Sequence, residues 1–345
     1  MPAPQKNEIC YLLAFPDHVE STPEPLEQIR GLKDAPYFQP VDIVVKTLGQ
    51  AEVQAGGVQV SVHRQRFDER IQIVECHFQM EGVLDPEVIQ QREVVQRNLQ
   101  ERFIPIEHRN SGMFEEYVVL LMVGAKPTPE TYLQKNSIAL ARFIRAARQA
   151  FDKQEIEQIL SSRVRYSKND LTLVDWEAAI IIAPDGDFQS DIELLKVGNY
   201  QLLRYRMLDT SVETSLRRVR EQFRADPRRF RLGPTRGQLR RIVQLRLDIM
   251  LDFEHTEQNL LLIGDWYSAQ LYHAIRNEFY LEEWKQAVKS KLDNLEGIIE
   301  TIQENFSLSW ASLLETIQIT GWLILLIGYF ILFFMESGFF HLHLP

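Results

Sequence analysis

Apolar and polar positions divide the chain into two regimes. Residues 8–15 (EICYLLAF) are an apolar run, and Val41 to Val53 is rich in β-branched residues. Gly56-Gly57 then punctuates a turn. Val58, Val60 and Val62 alternate with polar neighbours, as do Ile71, Ile73 and, less cleanly, Cys76 and Phe78. A period of two is that of half-buried strands, so this stretch predicts a hairpin or meander. Asp85-Pro86-Glu87 opens a helix with a cap residue, a first-turn proline and an acid at the positive dipole end. Its apolar face is Val88, Val94, Val95, Leu99 and Phe103. Glu115 to Val123 (EEYVVLLMV) predicts a buried strand, Thr128-Pro129-Glu130 a helix to about Arg148, and Glu155 to Leu160 a short helix. A strand pair follows at 163–183, with Trp176 to Ala183 (WEAAIIIA) as an inner strand.

Beyond Pro184-Asp185-Gly186-Asp187 the period becomes helical. Leu195, Tyr200, Leu203, Met207 and Leu208 mark a helix over Glu193 to Phe223. Ser190 or Asp191 is its expected cap. Breaks fall at Asp226-Pro227 and Gly233-Pro234, another helix covers Gln238 to about Leu262, and Gly264-Asp265 turns the chain into a last long helix. Val288, Leu292, Leu295, Ile299, Ile302 and Phe306 are spaced 4-3-4-3-4, a heptad seam. It is suited to self-association, or to pairing with the helix at 238–262 of the same chain.

The last helix changes the class of the protein. No charged residue lies between Glu315 and Glu336, and the twenty residues TIQITGWLILLIGYFILFFM separate them. At about 1.5 Å per residue this run spans about 30 Å, the thickness of a hydrocarbon core. Trp322, Leu323, Leu325, Leu326, Tyr329, Phe330 and Phe333 form the predicted anchor, with Trp310 and Trp322 at headgroup level. A buried core helix is the alternative. The start, MPAPQKNEICYLLAF, has the pattern of neither a signal peptide nor an Arg-rich transit sequence. The expectation is a single-pass C-terminal anchor with the bulk of the chain cytoplasmic. The predicted fold class is an α+β or α/β N-terminal half with a mixed sheet, then a helical C-terminal half ending in one transmembrane helix. The expected domains are 1–165, 166–310, the span 316–335 and a tail 336–345.

Composition adds one feature. The 345 residues carry 38 basic and 48 acidic side chains, a net charge of −10, with a mean hydropathy of −0.21. Those averages hide an arginine block. Between Arg204 and Arg246 stand thirteen arginines, no lysine and four acids, so the block is +9 and the remainder 25 − 44 = −19. Its core is Arg217, Arg218, Arg220, Arg224, Arg228, Arg229, Arg231, Arg236, Arg240 and Arg241. Guanidinium forks suit phosphate and carboxylate, so ribosomal or other RNA, anionic headgroups or an acidic protein are candidate partners. Internal pairing with the acidic remainder is the plainer reading.

Catalytic motifs are missing: no Walker A loop, G-x-G-x-x-G, G-x-S-x-G or HExxH occurs. Cys10 and Cys76 make neither a disulfide framework nor a four-thiolate zinc site. Asp185, Asp187 and Asp191 lack the spacing of a calcium loop. Asp248, Asp252 and His255 share a helix face, with Asp265 and His273 on the next helix, and a solvated polar face explains them as well as a metal. His341 and His343 in the tail read as solvated. No metal, cofactor or small-molecule substrate is expected, and the protein reads as non-enzymatic.

Four passages are similar to the Rmd/YagE family (domain-of-unknown-function family 155, the required-for-meiotic-nuclear-division group). They are Trp176–Pro184 with Gly186-Asp187-Phe188; Asn199-Tyr200-Gln201-Leu202-Leu203 leading to Arg206 and Leu208-Asp209; Leu262-Ile263-Gly264-Asp265-Trp266-Tyr267 with Tyr272, Phe279, Leu281 and Trp284; and Lys291-Leu292 followed by Leu314-Glu315. Together they cover about residues 170–335. The resemblance implies a homo-oligomeric, membrane-anchored complex, and, from mitochondrial relatives, support of translation at the inner membrane by tethering ribosomes. The family's aromatic-glycine strand near the N-terminus and the acidic residue inside its span are missing here. Without a transit sequence, a bacterial inner membrane fits better than a mitochondrial one. The expected function is a membrane-anchored oligomeric scaffold or tether. A magnesium channel of the CorA type is the alternative, although the Gly-Met-Asn loop and second span it needs are absent, and an uncharacterised hydrolase is a third reading.

Overall fold

The structure is a computed structural model. It describes residues 7–17, 27–28, 43–68, 70–149, 151–225, 243–244, 247–251, 253–254 and 266–336; the side chains of 27–28, 219, 222–225, 299–313 and 334–336 are not described. The chain forms two compact units, Met1–Thr210 with Leu251–Lys289, and Ser211–Met250 with Ser290–Pro345.

The first unit is built on a mixed sheet. Its strands are β1 (Glu8–Pro16), β2 (Glu27–Gln28), β3 (Val44–Ala55), β4 (Val58–Phe67), β5 (Ile71–Gln79), β6 (Glu115–Val123), β7 (Arg163–Val164), β8 (Leu171–Val174) and β9 (Ala178–Ala183). They lie in the order β2-β3-β4-β5-β1-β6-β9-β8-β7. β6 and β9 are parallel and the other pairs antiparallel. The boundary expected at residue 165 falls inside this sheet, because β9 needs β6 as its neighbour.

Helices cover both faces. α1 (Pro86–Phe103), α2 (Ile106–Ser111), α3 (Pro129–Lys135), α4 (Ser137–Ile144) and α5 (Lys153–Ile159) lie between strands, followed by α6 (Gln189–Ala225), α7 (Trp266–Glu278) and α8 (Leu281–Glu336). On one face Tyr11, Leu13, Val62, Val74, Phe78, Leu120 and Ile180 pack with Val95 and Leu99 of α1 and Leu140 and Phe143 of α4. On the other, Ala14, Phe67, Ile71 and Ile73 pack with Val197, Tyr200 and Leu203 of α6. Burial on two faces removes the alternation of the central strands, which is why β1 and β6 read as runs.

Local chemistry sets the boundaries. Gly56 and Gly57 both take positive φ, 55° and 80°, as a two-residue hairpin of the right twist requires. The helix expected over 128–148 is two helices. Asn136 leaves helical geometry at ψ 15° and its amide donates to the Tyr132 carbonyl, which ends α3. The last long helix is likewise interrupted, at Phe279-Tyr280, where Tyr280 has φ 50°. Trp176 lies on the turn before β9 and is exposed, stacked near Phe279 and Tyr280. Neither Ser190 nor Asp191 caps α6. Both lie within it; the Asp187 carboxylate accepts from the Gln189 amide, and Asp191 is buried, accepting from Thr172 and Tyr267.

The hydrophobic pattern also predicts the back half. α6 to α8 are helical, and Leu314–Phe333 is long and apolar enough to cross a membrane by length and composition. The breaks at Asp226-Pro227 and Gly233-Pro234, most of the 238–262 helix, the Gly264-Asp265 turn and the tail lie outside the described residues.

Gly198 tests the seat of α7 on α6. Alanine normally exceeds glycine inside a helix by about 1 kcal/mol. Here an added Cβ would meet Ile275 Cγ2 at 2.4 Å and Phe279 Cε2 at 3.2 Å. Gly198→Ala is therefore expected to destabilise, by about 1–3 kcal/mol, and to lower the thermal midpoint in a calorimetric scan; a raised midpoint contradicts this packing.

Candidate functional site

The α6-facing side of the sheet changes character along β5. Ile71 and Ile73 point to α6, and by the period of two so do Glu75 and His77. In the neighbouring strands Leu12 and His63 stand opposite Glu75, and Cys10 and Ser61 opposite His77. The face therefore turns from apolar to polar within two residues. α6 follows the same division. Tyr200 and Leu203 cover the apolar part, and Lys196, on the same helix face one turn earlier, covers the polar part.

Lys196 is 1% exposed, and its ammonium has three partners. It donates to Gln65 Oε1 at 2.8 Å, Glu75 Oε2 at 2.8 Å and Glu193 Oε1 at 2.6 Å. All three N–H groups are thus satisfied. The other Glu75 oxygen lies 2.7 Å from His77 Nε2, and His77 Nδ1 lies 2.8 Å from Glu8 Oε1. Both ring nitrogens face carboxylates, so both carry protons and the ring is an imidazolium. Three carboxylates, Glu8, Glu75 and Glu193, surround two cations.

The acid–base state follows. Burial works against ionisation of Glu75, but the His77 hydrogen bond and the Lys196 charge outweigh it and hold the carboxyl at about 2. Burial pulls the His77 ring down, yet its hydrogen-bonding partners Cys10, Glu75 and Glu8 push it far above the imidazole range. Lys196 is raised, because Glu193 and Glu75 overcome its burial. Burial pushes the Cys10 thiol up. The cluster borders a cavity of about 470 Å³ lined by Glu8, His63, Gln65, Glu75, His77 and Lys196 among others. Cys10, Glu75 and His77 each offer one metal-ligating atom, all within 4.8 Å of one another.

A second cavity, of about 400 Å³, includes Arg92, Glu115, Glu116, Tyr117 and Trp176 in its wall. The Arg92 guanidinium lies 4.4 Å from the centre of the Phe143 ring and donates to the Phe143 carbonyl. This arrangement joins α1 to α4.

The residues singled out in the sequence lie elsewhere. Arg217, Arg218 and Arg220 are exposed on the second-unit part of α6, and Arg217 Nη2 is 3.7 Å from Glu213 Oε1. The side chain of Arg224, and Arg228, Arg229, Arg231, Arg236, Arg240 and Arg241, lie outside the described residues. Val288, Leu292 and Leu295 are buried within the single chain. In the second unit Lys291 Nζ comes within 3.8 Å of Glu213 Oε2, beside Leu292. The side chains of Ile299, Ile302 and Phe306 are not described. Trp322, Leu323, Leu325, Leu326, Tyr329, Phe330 and Phe333 are all exposed. His273 meets Asn277 of its own helix at 3.2 Å, Asp248 is exposed, and Asp252, His255, Asp265, His341 and His343 fall outside the described residues. Glu75, His77 and Lys196 carry no sequence motif, and Cys10 stands out only as one of two cysteines; the available signal is a lysine in register with Tyr200 and Leu203.

The chain is similar over residues 20–189 to the family described as "Uncharacterized protein MJ0711, N-terminal domain". That stretch contains Glu75 and His77 but neither Cys10 nor Lys196, and the Rmd/YagE resemblance rested on about 170–335 instead. The uncharacterized protein MJ0711 of Methanocaldococcus jannaschii is 23% identical over 206 residues, 60% of this chain and 63% of the relative. The chain thus spans under two thirds of that relative's length. No solved structure matches.

The cluster makes stability depend on pH with a definite sign. The raised His77 contributes fully below the ordinary imidazole value of 6.5, and this is lost as pH climbs toward its folded value. The lowered Glu75 contributes fully above the ordinary value of 4.5 and loses its effect as pH falls toward about 2. Urea unfolding in chelating buffer is therefore expected to show stability falling from about pH 6 to about pH 9, and His77→Gln to flatten that slope. An unchanged slope contradicts the imidazolium.

Proposed function

We propose that the protein is a membrane-anchored tether, with its α/β unit held at the cytoplasmic surface by the apolar segment of α8. One observation carries the reading. The side chains of Leu314–Phe333 are turned outward, with none of that segment buried inside the chain. In a core helix they would be covered. Left in water, such a stripe would lose about 25 cal/mol for each Å² of apolar surface kept wet. A bilayer accepts it, because every backbone group of a helix is satisfied internally.

The arginines supply the other end of the tether. Arg217, Arg218 and Arg220 stand exposed on one helix, and the same block continues in sequence to Arg241. Guanidinium groups in this density favour a phosphate-rich partner, and the proposed partner is RNA at the membrane surface, the ribosome included. The oligomeric scaffold expected from the family resemblance belongs to the same proposal.

Fractionation tests the anchor and co-sedimentation the partner. Full-length protein is expected to stay with membranes through an alkaline carbonate wash, and a chain truncated before Leu314 to be released; membrane retention of the truncated chain contradicts the anchor. Arg217→Glu, Arg218→Glu and Arg220→Glu together are expected to weaken RNA co-sedimentation at least tenfold and to reduce the salt slope by about 3. Binding that keeps its strength and slope removes RNA as the partner while leaving the anchor standing.

A further inference from the structure

We propose that Cys10, Glu75 and His77 bind a divalent metal ion of the zinc type, with a further coordination position opening toward the cavity beside β4 and β5. The proposal is independent of the anchor and of the arginine block.

The donor set is the first argument. A cysteine sulfur, an imidazole nitrogen and a carboxylate oxygen are the ligand types zinc takes, and three protein ligands with one open place make a site that binds a water or a further ligand. Their ligand atoms lie within 4.8 Å of one another. Tetrahedral bonds of about 2.0–2.3 Å put ligand atoms about 3.3–3.8 Å apart, so side-chain adjustments of about an ångström, which part Glu75 Oε1 and His77 Nε2 from their 2.7 Å contact, seat an ion within the triad. The backbone is already set: Cys10 and His77 are directly paired across β1 and β5, and Glu75 precedes His77 by two residues on the same face.

The surroundings are the second argument. Metal-binding histidines give their other nitrogen to a carboxylate, which fixes the ring. His77 Nδ1 has that partner in Glu8 Oε1 at 2.8 Å, leaving Nε2 for the ion. Glu75 is held in the same way. Lys196 takes Oε2 at 2.8 Å and leaves Oε1, the atom nearest His77 Nε2. The charge balance fits as well. On binding, the Nε2 proton of His77 and the thiol proton of Cys10 leave, and a dication replaces two protons. The net charge of the buried cluster is unchanged, and the Lys196 pairs survive.

The two cysteines provide an internal control. Successive side chains on a strand point to opposite faces. Cys76 lies with the core on the α1 face, whereas Cys10 is paired with His77 on the α6 face. Full-length protein without a histidine tag, purified in mild detergent and stripped with a chelator, is titrated with cobalt(II) and zinc(II). The expected result is one high-affinity equivalent, with a thiolate-to-cobalt charge-transfer absorption that disappears in Cys10→Ser and persists in Cys76→Ala. Glu8→Gln, which removes no ligand, is expected to weaken binding by about 10–100-fold. Near-ultraviolet circular dichroism of each metal-free variant confirms folding, and Glu8→Gln keeps the test valid if Cys10→Ser does not fold. The proposal is overturned if folded wild-type protein takes up no stoichiometric metal, if the charge-transfer band survives Cys10→Ser, or if Glu8→Gln binds as tightly as wild type.

Discussion

An ammonium buried between two carboxylates ties α6 to the sheet of the first unit at one position. Lys196 lies in α6, Glu75 in the middle of β5, and the bond between them joins the helix to the sheet at 2.8 Å. An unpaired charge in such a place costs several kcal/mol, so each partner depends on the other's position. The apolar contacts of Val197, Tyr200 and Leu203 give α6 its general seat on the sheet. The ion cluster fixes its register, because shifting the helix by one residue would carry Lys196, and Glu193 with it, away from Glu75 and Gln65 on the sheet. The cavity beside His63 and His77 owes its polar wall to that register.

Much of this fold is legible in the hydrophobic pattern, for reasons particular residues make plain. Glu115–Val123 reads as a strand because nothing polar interrupts its buried residues. The β3–β4 hairpin reads from Gly56-Gly57, where positive φ is needed at both positions. The first turn of α1 reads from Asp85-Pro86-Glu87. Other features were hidden by context. On β5, Ile71 and Ile73 face α6 while Cys76 and Phe78 face α1, so burial on both sides blurs the alternation. Glu75 and His77 look like ordinary solvent-side residues of a half-buried strand. Only the helix laid across them makes them interior, and that helix comes more than a hundred residues later in sequence. Asn136 and Tyr280 break helices that apolar periodicity would have continued, through a side-chain cap and a positive φ.

The candidate site was less legible than the fold. The sequence drew attention to the arginine block and to Asp248, Asp252 and His255, which advertise themselves by local density. The cluster of Cys10, Glu75, His77 and Lys196 is assembled from β1, β5 and α6, and no local spacing announces it. The signal was subtler: Lys196 sits at the helical interval before Tyr200 and Leu203, where a charge demands a buried partner. The two features have different physical logic. The apolar segment of α8 is exposed among the described residues, whereas the ionic cluster is satisfied almost entirely from within the first unit.

The most direct test of this account is a double-mutant cycle between Lys196→Met and Glu75→Gln, read by chemical unfolding of the full chain in detergent. Lys196→Met alone leaves Glu193 without its cation and Glu75 with His77 as its remaining one, and should cost about 3 kcal/mol. With Glu75 already neutralised the same substitution should cost less, giving a coupling of more than about 1 kcal/mol. Costs that simply add, or a Lys196→Met cost below about 1 kcal/mol, would contradict the claim that this buried pair fixes α6 on the sheet.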